Sequence, residues 1–275
     1  MHSYKISPDD KAKIDALENP KIWKVLNDAI QLMEPAEVLV FDETPEDIAR
    51  VRQLAIDQSE EKKLAMEGHT IHYDGYNDQG RDKAHTGTLL PAGQTLSRGL
   101  EVFERESALK EVLEIMKGIM KGRTMLVSFF CLGPKNSEFT LNAFQITDSS
   151  YVMHSEFILY RPGYENFKYM KNKDVFFYFW HSQGVLDERN TTVNVDKRRI
   201  YIDPLENRVL TVNNQYAGNS IAAKKLALRL GIYKANHEDW LAEHMFISAF
   251  YPLDSSRKNY FAGAYPSACG KPSTP

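Results

Sequence analysis

The sequence predicts an α/β fold in which helices surround a mixed β-sheet. Three observations support this: helical and strand-like apolar segments follow each other irregularly, the longest apolar run has the length of one strand, and 43% of the 275 residues are hydrophobic. That share can fill the core of one large domain or of two small ones. Because strict strand–helix–strand alternation is missing, we expect a mixed sheet rather than a wholly parallel one.

Composition argues against several classes of partner. Charged residues make up 26% of the chain, the formal net charge is −3, and lysine and arginine are spread along the sequence. The one basic cluster, Lys197–Arg199, precedes an apolar segment, and we interpret it as a solvated strand end. We therefore expect no nucleic-acid partner and no anionic membrane partner.

The chain has the features of a cytoplasmic protein. Only two cysteines occur, Cys131 and Cys269, so a disulfide framework is not expected. The first ten residues lack the apolar segment of a signal peptide. No apolar run approaches the ~20 residues that a membrane helix requires.

The first third of the chain predicts two helices around a short strand. Apolar residues at helical spacing from Ile22 to Met33 follow Asn19–Pro20, and Val38–Phe41 reads as a buried strand. Thr44 and Pro45 then give an N-cap and a first-turn proline to a helix that should run to about Ile56.

The region from Gly68 to Gly93 differs from its surroundings. It is polar, rich in Gly, Asp, His and Thr, and shows no periodicity. Loops of this length inside compact domains are usually functional or disordered. Its aromatic and charged residues favour an ordered loop at a binding site.

The rest of the chain predicts a helix followed by strands. An apolar stripe from Leu109 to Met120 indicates a helix. Further strands are expected at 125–132, 139–146, 175–180, 200–203, 209–212, 245–250 and 260–264, with a helix from Asn219 to about Tyr233.

The segment from Tyr260 to Pro272 ends a strand in a turn of small residues with Gly270 and Lys271. Such a layout lets backbone N–H groups and a lysine hold phosphate. The segment departs from the ordinary P-loop motif at two positions, because Tyr265 replaces the first glycine and Pro272 replaces the residue with the magnesium-binding hydroxyl. On pattern alone, a surface turn is the better interpretation.

Three other segments carry binding candidates, each with an ordinary alternative. A helix start at Gly218–Ser220 with Lys224 and Lys225 close behind suits an anion, although a solvated lysine pair is commoner. His244 suits a metal or a structural hydrogen bond. Arg81 suits a carboxylate or phosphate, or a surface salt bridge of little energy.

Taken in order, these segments resemble the GTP-type phosphoenolpyruvate carboxykinases, and the archaeal branch in particular. The stretches that carry the resemblance are Lys121–Met125, Leu132–Pro134, Thr147–Val152, Gly218–Ser220, Trp240–Met245 and Tyr265–Lys271. The Pro-Ser-Ala-Cys-Gly-Lys sequence differs from the glycine-richer loop of the ATP-dependent enzymes. The resemblance covers nearly the whole chain.

The resemblance implies an architecture and a reaction. Residues 1–258 would form the N-terminal substrate-binding domain, and residues 259–275 would begin the C-terminal nucleotide-binding domain. The family converts oxaloacetate and GTP to phosphoenolpyruvate, carbon dioxide and GDP, with Mn²⁺ at the substrate and Mg²⁺ with the nucleotide. A monomer is expected for a chain of full length.

The resemblance also implies residue roles. Arg81, Cys269 and Lys271 would be catalytic, and Lys225 and His244 would bind Mn²⁺. The substrate contacts would be Arg81, Tyr216, Ala217, Gly218 and Ser267. The phosphate cradle would be Ala268, Cys269, Gly270 and Lys271. A lysine ligates metal only when neutral, so Lys225 needs a lowered pKa.

Two departures from the family pattern matter. Ala217 stands where the family usually has glycine, and Pro272 removes a hydroxyl and an N–H group. Since the sequence stops four residues after Lys271, we expect it to be truncated before the nucleotide-binding lobe and to show little turnover. The alternatives are a pyrophosphate-dependent relative and a non-catalytic, anion-binding remnant.

Overall fold

The computed structural model describes residues 3–76, 82–97, 99–243, 245–265 and 269–270. The chain divides into two compact units, Met1–Leu230 and Gly231–Pro275. The helices are α1 Pro8–Asp15, α2 Pro20–Met33, α3 Pro45–Asp57, α4 Arg105–Met116, α5 Ser150–Leu159, α6 Tyr164–Lys168, α7 Ala217–Ser220, α8 Ala222–Lys225 and α9 Gly231–His237, with a π-helical turn at Leu226–Leu230 and a 3₁₀ turn at Val195–Lys197. No helix in these ranges is long and apolar enough to cross a membrane.

The strands confirm the predicted mixed sheet. They are β1 Lys5–Ile6, β2 Glu37–Val40, β3 Lys62–Lys63, β4 Thr70–Ile71, β5 Thr86–Leu90, β6 Val102–Glu104, β7 Thr124–Leu132, β8 Leu141–Thr147, β9 Arg161–Pro162, β10 Phe177–Ser182, β11 Arg199–Asp203, β12 Arg208–Val212, β13 Phe246–Phe250 and β14 Asn259–Gly263. Ten of them form one sheet in the order β1-β2-β7-β8-β10-β12-β11-β5-β6, with β9 paired to β7.

The direction of the strands reverses twice across the sheet. β8, β10 and β12 are mutually parallel, whereas β7 is antiparallel to β8 and β11 is antiparallel to β12. The carboxyl ends of the three central strands therefore share one edge with the amino ends of β7, β11 and β5. This edge is called the polar edge below.

Apolar side chains cover both faces of the sheet. Along β10, Tyr178 and Trp180 enter the cluster built with α2 and α4, whereas Phe177 and Phe179 enter the cluster built with α5 and α8. The alternation follows from the two-residue period of a strand. Burial on both faces explains why this segment is an unbroken apolar run in the sequence.

The helices with clear sequence signals are confirmed. Asn19 caps α2 by accepting from the Lys21 and Ile22 N–H groups, and Thr44 caps α3 by accepting from the Asp47 N–H. Helix α4 is found, but it starts at Arg105 and ends at Met116 rather than Met120, because Lys117 is extended and Gly118 has φ +65°.

Some expectations were wrong. The region 68–93 was expected to be a loop, yet Thr86–Leu90 forms β5 inside the main sheet. Gly87 is needed there, since a Cβ would lie 2.5 Å from the ring of Phe103. The helix expected from Asn219 to Tyr233 is broken, because Ile221 adopts an extended backbone between α7 and α8.

The second unit contains α9 and an antiparallel hairpin. β13 and β14 pair with Phe246 opposite Gly263 and Phe250 opposite Asn259, close to the strands predicted from the sequence. A side chain at Gly263 would meet the Phe246 ring at 2.5 Å, so the glycine lets that ring pack across the hairpin.

Candidate functional site

Buried polar residues follow the three central strands at the polar edge. Thr147 ends β8 and Asp148 follows it, Ser182 ends β10 and Gln183 follows it, and Asn213–Gln215 follow β12. Parallel strands bring these ends together, and ligands of open α/β sheets bind outside the carboxyl ends of their strands. The fold therefore places a candidate site at this edge.

Asp148 organises the centre of the edge. Its Oδ1 accepts from the Gln183 N–H at 2.8 Å, and its Oδ2 accepts from Ser182 Oγ at 2.7 Å and from Arg123 Nη1 at 3.0 Å. Each oxygen of this buried carboxylate is thereby satisfied, which offsets the cost of removing it from water. Asp148 consequently ties the ends of β8 and β10 to the start of β7.

His181 fixes the chain that leaves β12. The side chain is fully buried, and burial lowers its pKa. Nε2 lies 3.0 Å from the Asn214 carbonyl, which can only accept, so we assign the proton to Nε2; Nδ1 lies 2.7 Å from Thr147 Oγ1. A neutral imidazole with both nitrogens bonded is a structural group rather than a proton-transfer group.

Glu60, which follows α3 in the sequence, accepts hydrogen bonds from the amino end of α5 at the same edge. It accepts from Ser149 Oγ at 2.5 Å and from the Ser150 and Tyr151 N–H groups at 3.3 and 3.1 Å. Burial raises the pKa of this carboxyl, while the hydrogen bonds oppose that shift. The N–H groups at a helix start are the natural partners of such an acid.

Tyr216, Ala217 and Gly218 form the turn that follows β12. The Asn219 and Ser220 N–H groups both donate to the Tyr216 carbonyl at 2.8 Å. A Cβ on Gly218 would lie 2.6 Å from the Tyr216 ring, so only glycine lets that ring fold over the backbone. The methyl group of Ala217 packs on the apolar cluster under α8, which accounts for an alanine at this position.

Lys225 is the last residue of α8, and its side chain contacts the turn Tyr216–Gly218. Its Nζ donates to the Gly218 carbonyl at 3.1 Å. Burial, and to a lesser degree Arg229 and Lys224, lowers the pKa of Lys225 to about 8. At pH 7 the Lys225 amine is then neutral in about a tenth of the molecules, a far larger fraction than for an ordinary lysine. The amine thus has the chemistry that a lysine ligand of a metal needs.

Glu156 was not singled out in the sequence and is an unusual group in this region. The side chain on α5 is fully buried, and neither carboxyl oxygen has a hydrogen-bond partner among the described residues. Burial raises its pKa well above the ordinary value and so favours the neutral carboxyl, while the Ala223 N–H opposes that shift less strongly.

Arg198 corrects the interpretation of the basic cluster. It was expected to be solvated, yet only 4% of it is exposed and it is bonded to Asp82 and Asn213. Lys197 and Arg199 are more exposed. A buried arginine at a strand end cannot be told from a solvated one by local sequence alone.

Several predicted site residues lie outside the described part of the chain. These are Arg81, His244, Ser267, Ala268 and Lys271. Cys269 and Gly270 are described within the second unit, where Cys269 is exposed and Gly270 has φ +82°. Within the described ranges the structure brings together the Tyr216–Gly218 turn and Lys225.

No group of three or more His, Cys, Asp or Glu side chains in the described ranges is arranged to hold a metal ion. That finding concerns neither lysine ligands nor His244.

The residues of the polar edge were not singled out in the sequence, although a usable signal was present. Polar residues directly follow three apolar runs that were predicted to be strands. Asp148, His181 and Gln183 share that signal.

Two family models match this chain. Residues 24–236 match the model of the phosphoenolpyruvate carboxykinase N-terminal domain, and residues 240–275 match that of the C-terminal P-loop domain of the same enzymes. The two matches define a class, the carboxykinases that join an N-terminal α/β domain to a P-loop domain.

The chain belongs to the phosphoenolpyruvate carboxykinase family. It is 52% identical over 270 residues to the phosphoenolpyruvate carboxykinase [GTP] of Thermococcus sibiricus, covering 98% of this chain and 43% of that protein. The enzymes of the same name from Pyrococcus abyssi and Saccharolobus solfataricus are 52% and 41% identical, over 97% and 98% of this chain and 43% and 42% of theirs. The chain thus spans less than half the length of these relatives.

Proposed function

We propose that this chain forms the substrate-binding part of a GTP-dependent phosphoenolpyruvate carboxykinase. Such an enzyme converts oxaloacetate and GTP to phosphoenolpyruvate, carbon dioxide and GDP. The observation that carries the proposal is the lowered pKa of Lys225 together with its 3.1 Å bond to the Gly218 carbonyl. The family resemblance assigns substrate contact to that turn and metal binding to that lysine.

The family resemblance suggests roles for the described residues. The Tyr216 ring and the Ala217–Gly218 backbone would contact the substrate, and Lys225 with His244 would hold Mn²⁺. The neutral form of Lys225 fits a metal ligand. The bound ion would stabilise the negative charge left when carbon dioxide departs. The backbone of the fixed turn would orient the substrate.

The resemblance also suggests roles for the residues outside the described ranges and for the P-loop segment. Arg81 would hold the carboxylate of the substrate and Ser267 would contact it. The backbone from Ala268 to Gly270 and the Lys271 amine would hold the phosphates of GTP, which binds with Mg²⁺, and Cys269 would be a reactive thiol. The boundary between residues 258 and 259, the monomeric state and the cytoplasmic location stay predictions.

Binding of Mn²⁺ and oxalate tests the proposal, because oxalate is a planar dianion similar to the enolate that decarboxylation leaves. We expect titration calorimetry to show oxalate binding that depends on Mn²⁺. Lys225→Met should weaken Mn²⁺ binding by about tenfold or more, in the range found when a metal site loses support. Lys224→Met is the matched control, since Lys224 is the exposed neighbour.

The outcomes separate the alternatives. Equal Mn²⁺ affinity in the two lysine variants would contradict the role of Lys225. Oxalate binding that needs no Mn²⁺ would instead favour a non-catalytic, anion-binding protein. In a chain of the relatives' length, activity with pyrophosphate but not with GTP would point to a pyrophosphate-dependent enzyme.

A further inference from the structure

Arg198 forms a buried bridge between two separate segments at the polar edge. Its Nη1 lies 3.3 Å from Asp82 Oδ2, and its Nε donates to the Asn213 carbonyl at 3.4 Å. Only 5% of the arginine side chain and 15% of the aspartate side chain are exposed. A guanidinium presents several donors in one rigid plane, so it can hold two acceptors at a fixed separation.

On one side of the bridge, Asp82 sets where the chain enters β5. Its carboxylate accepts from the His85 N–H at 3.2 Å and lies 2.9 Å from His85 Nδ1. β5 begins at the next residue, Thr86, and pairs with β11. In the sequence Asp82 directly follows Arg81, the residue proposed to hold the substrate carboxylate.

On the other side, Asn213 sets where the chain leaves β12. Its N–H donates to the Ser182 carbonyl at 2.9 Å, and its Nδ2 donates to the Lys197 carbonyl at 3.0 Å. Its φ of +57° lies in the left-handed region, which asparagine tolerates better than most residues. Asn213 precedes Tyr216 by three positions, so its position determines the start of the substrate turn.

We propose that Arg198 is a positioning residue that fixes the separation between the segment Asp82–His85 and the turn Tyr216–Gly218. The proposal rests on the proposed function, which assigns substrate contact to that turn and to Arg81, the residue before Asp82 in the sequence. Arg198 also neutralises Asp82. Without it, the Asp82 carboxylate would keep only its bonds to His85 and would lose the cation that offsets its burial.

The test compares Arg198→Met, Arg198→Lys and a matched control. The control is Arg105→Met, because Arg105, the first residue of α4, has its Nε 2.9 Å from Oδ1 of Asp203 in another partly buried pair. Asp203 ends β11, at the opposite edge from Asn213, and keeps Arg208 as a second partner, as Asp82 keeps His85.

Hydrogen exchange measures the bridge without any ligand. In Arg198→Met we expect the amides of 82–86 and of 213–216 both to exchange faster by about tenfold or more, and in Arg105→Met neither segment should change. Lysine can keep the ion pair with Asp82 but offers a single donor group. In Arg198→Lys the amides of 82–86 should therefore exchange as slowly as in the wild type, and those of 213–216 should exchange fast. General destabilisation would speed up exchange in both segments.

Oxalate binding with Mn²⁺ measures the consequence for the site. We expect Arg198→Met to bind oxalate about tenfold more weakly and Arg105→Met to bind it normally. If the wild-type chain binds oxalate and Arg198→Met binds it equally well, the positioning role is wrong while the proposed function stands. If the wild-type chain binds no oxalate, the proposed function falls and the positioning role with it. Unchanged hydrogen exchange in Arg198→Met would overturn the bridge itself.

Discussion

At the scale of single residues, the site region contains two groups whose protonation is shifted by burial in opposite senses. The pKa of Lys225 is lowered to about 8, and the pKa of Glu156 is raised well above its ordinary value. Burial disfavours the charged form of either group, so both shifts have one cause. Each shift makes a separate prediction.

Lys225 should titrate near pH 8. Its folded pKa lies below the unfolded value of 10.5, so between these two pH values the unfolded chain holds more protons than the folded chain. Stability should therefore rise with pH across that interval. NMR of ¹³C-methylated lysines would give the pKa, and the Lys225→Arg variant, which lacks the signal, would assign it. A signal that titrates at 10 or above would contradict the shift.

Glu156→Gln should change how stability depends on pH. The folded pKa of Glu156 is raised above 4.5, so above that pH folding requires the folded chain to keep a proton that the unfolded chain releases. The wild type should lose up to about 1.4 kcal/mol per pH unit relative to the glutamine variant, from the unfolded pKa up to the folded pKa. Urea unfolding of both proteins at pH 5 and pH 7 measures this difference. A stability gap that is the same at both pH values would show that Glu156 is not buried in its neutral form.

At the scale of elements, the cap of α5 joins the helix to the buried acid beneath it. Ser149 Oγ accepts from the Val152 N–H at 3.2 Å and donates to Glu60 at 2.5 Å. One hydroxyl therefore serves two buried partners. Thr44 caps α3 in the usual way, and its hydroxyl donates to Asp42, which is not buried.

Ser149→Ala should destabilise the protein more than Thr44→Ala. Loss of an ordinary cap costs about 1 kcal/mol, and leaving a buried acceptor without its donor adds about 1–3 kcal/mol. Chemical denaturation of the two variants at one pH gives the comparison. Equal losses would mean that the hydroxyl contributes only as a cap and that Glu60 does not depend on it.

The elements differ in how well the sequence predicted them. α2 and α3 have an apolar stripe and a cap, and both were found close to their true ends. α5 was missed because its buried face includes Ser150, His154 and Glu156, which hide the apolar period. Strand β5 was missed because its first three residues are Thr, Gly and Thr.

The neighbouring residues of the candidate site were easier to group from the sequence than the distant ones. The motif around Tyr216 and Lys225 was recognised because its residues are nearly contiguous, and the structure brings them into contact, while their roles stay a prediction. The bridge through Arg198 was not predictable, since Asp82 is 116 positions away and nothing local marks the pair. Partners brought together only by the sheet require the sheet to be known first.

At the scale of the whole molecule, the main sheet has two unequal kinds of strand. β7, β8, β10 and β12 have a paired neighbour on each side, whereas β1 and β6 end the sheet and are very short. Edge strands lack half of the backbone pairing and unfold locally at low cost.

Hydrogen exchange should therefore divide the sheet into a slow centre and fast edges. We expect the amides of β8 and β10 to exchange at least about a hundredfold more slowly than those of β1 and β6, since only the former require global unfolding. Mass spectrometry of peptides from the unliganded chain measures this ratio. Comparable protection across all ten strands would show that the edges are covered in solution.

The pairing of β5 with β11 has a consequence for the time course of folding. It joins Thr86 to Ile200, so a loop of more than a hundred residues must close before those strands meet. Long-range pairing of this kind forms late, because closing the loop lowers the entropy of the chain before any stabilising contact has formed. Hairpins such as β7–β8 can assemble early. A newly made chain would thus acquire most of its secondary structure before it acquires a binding site, and ligand affinity would report that the last strands have joined.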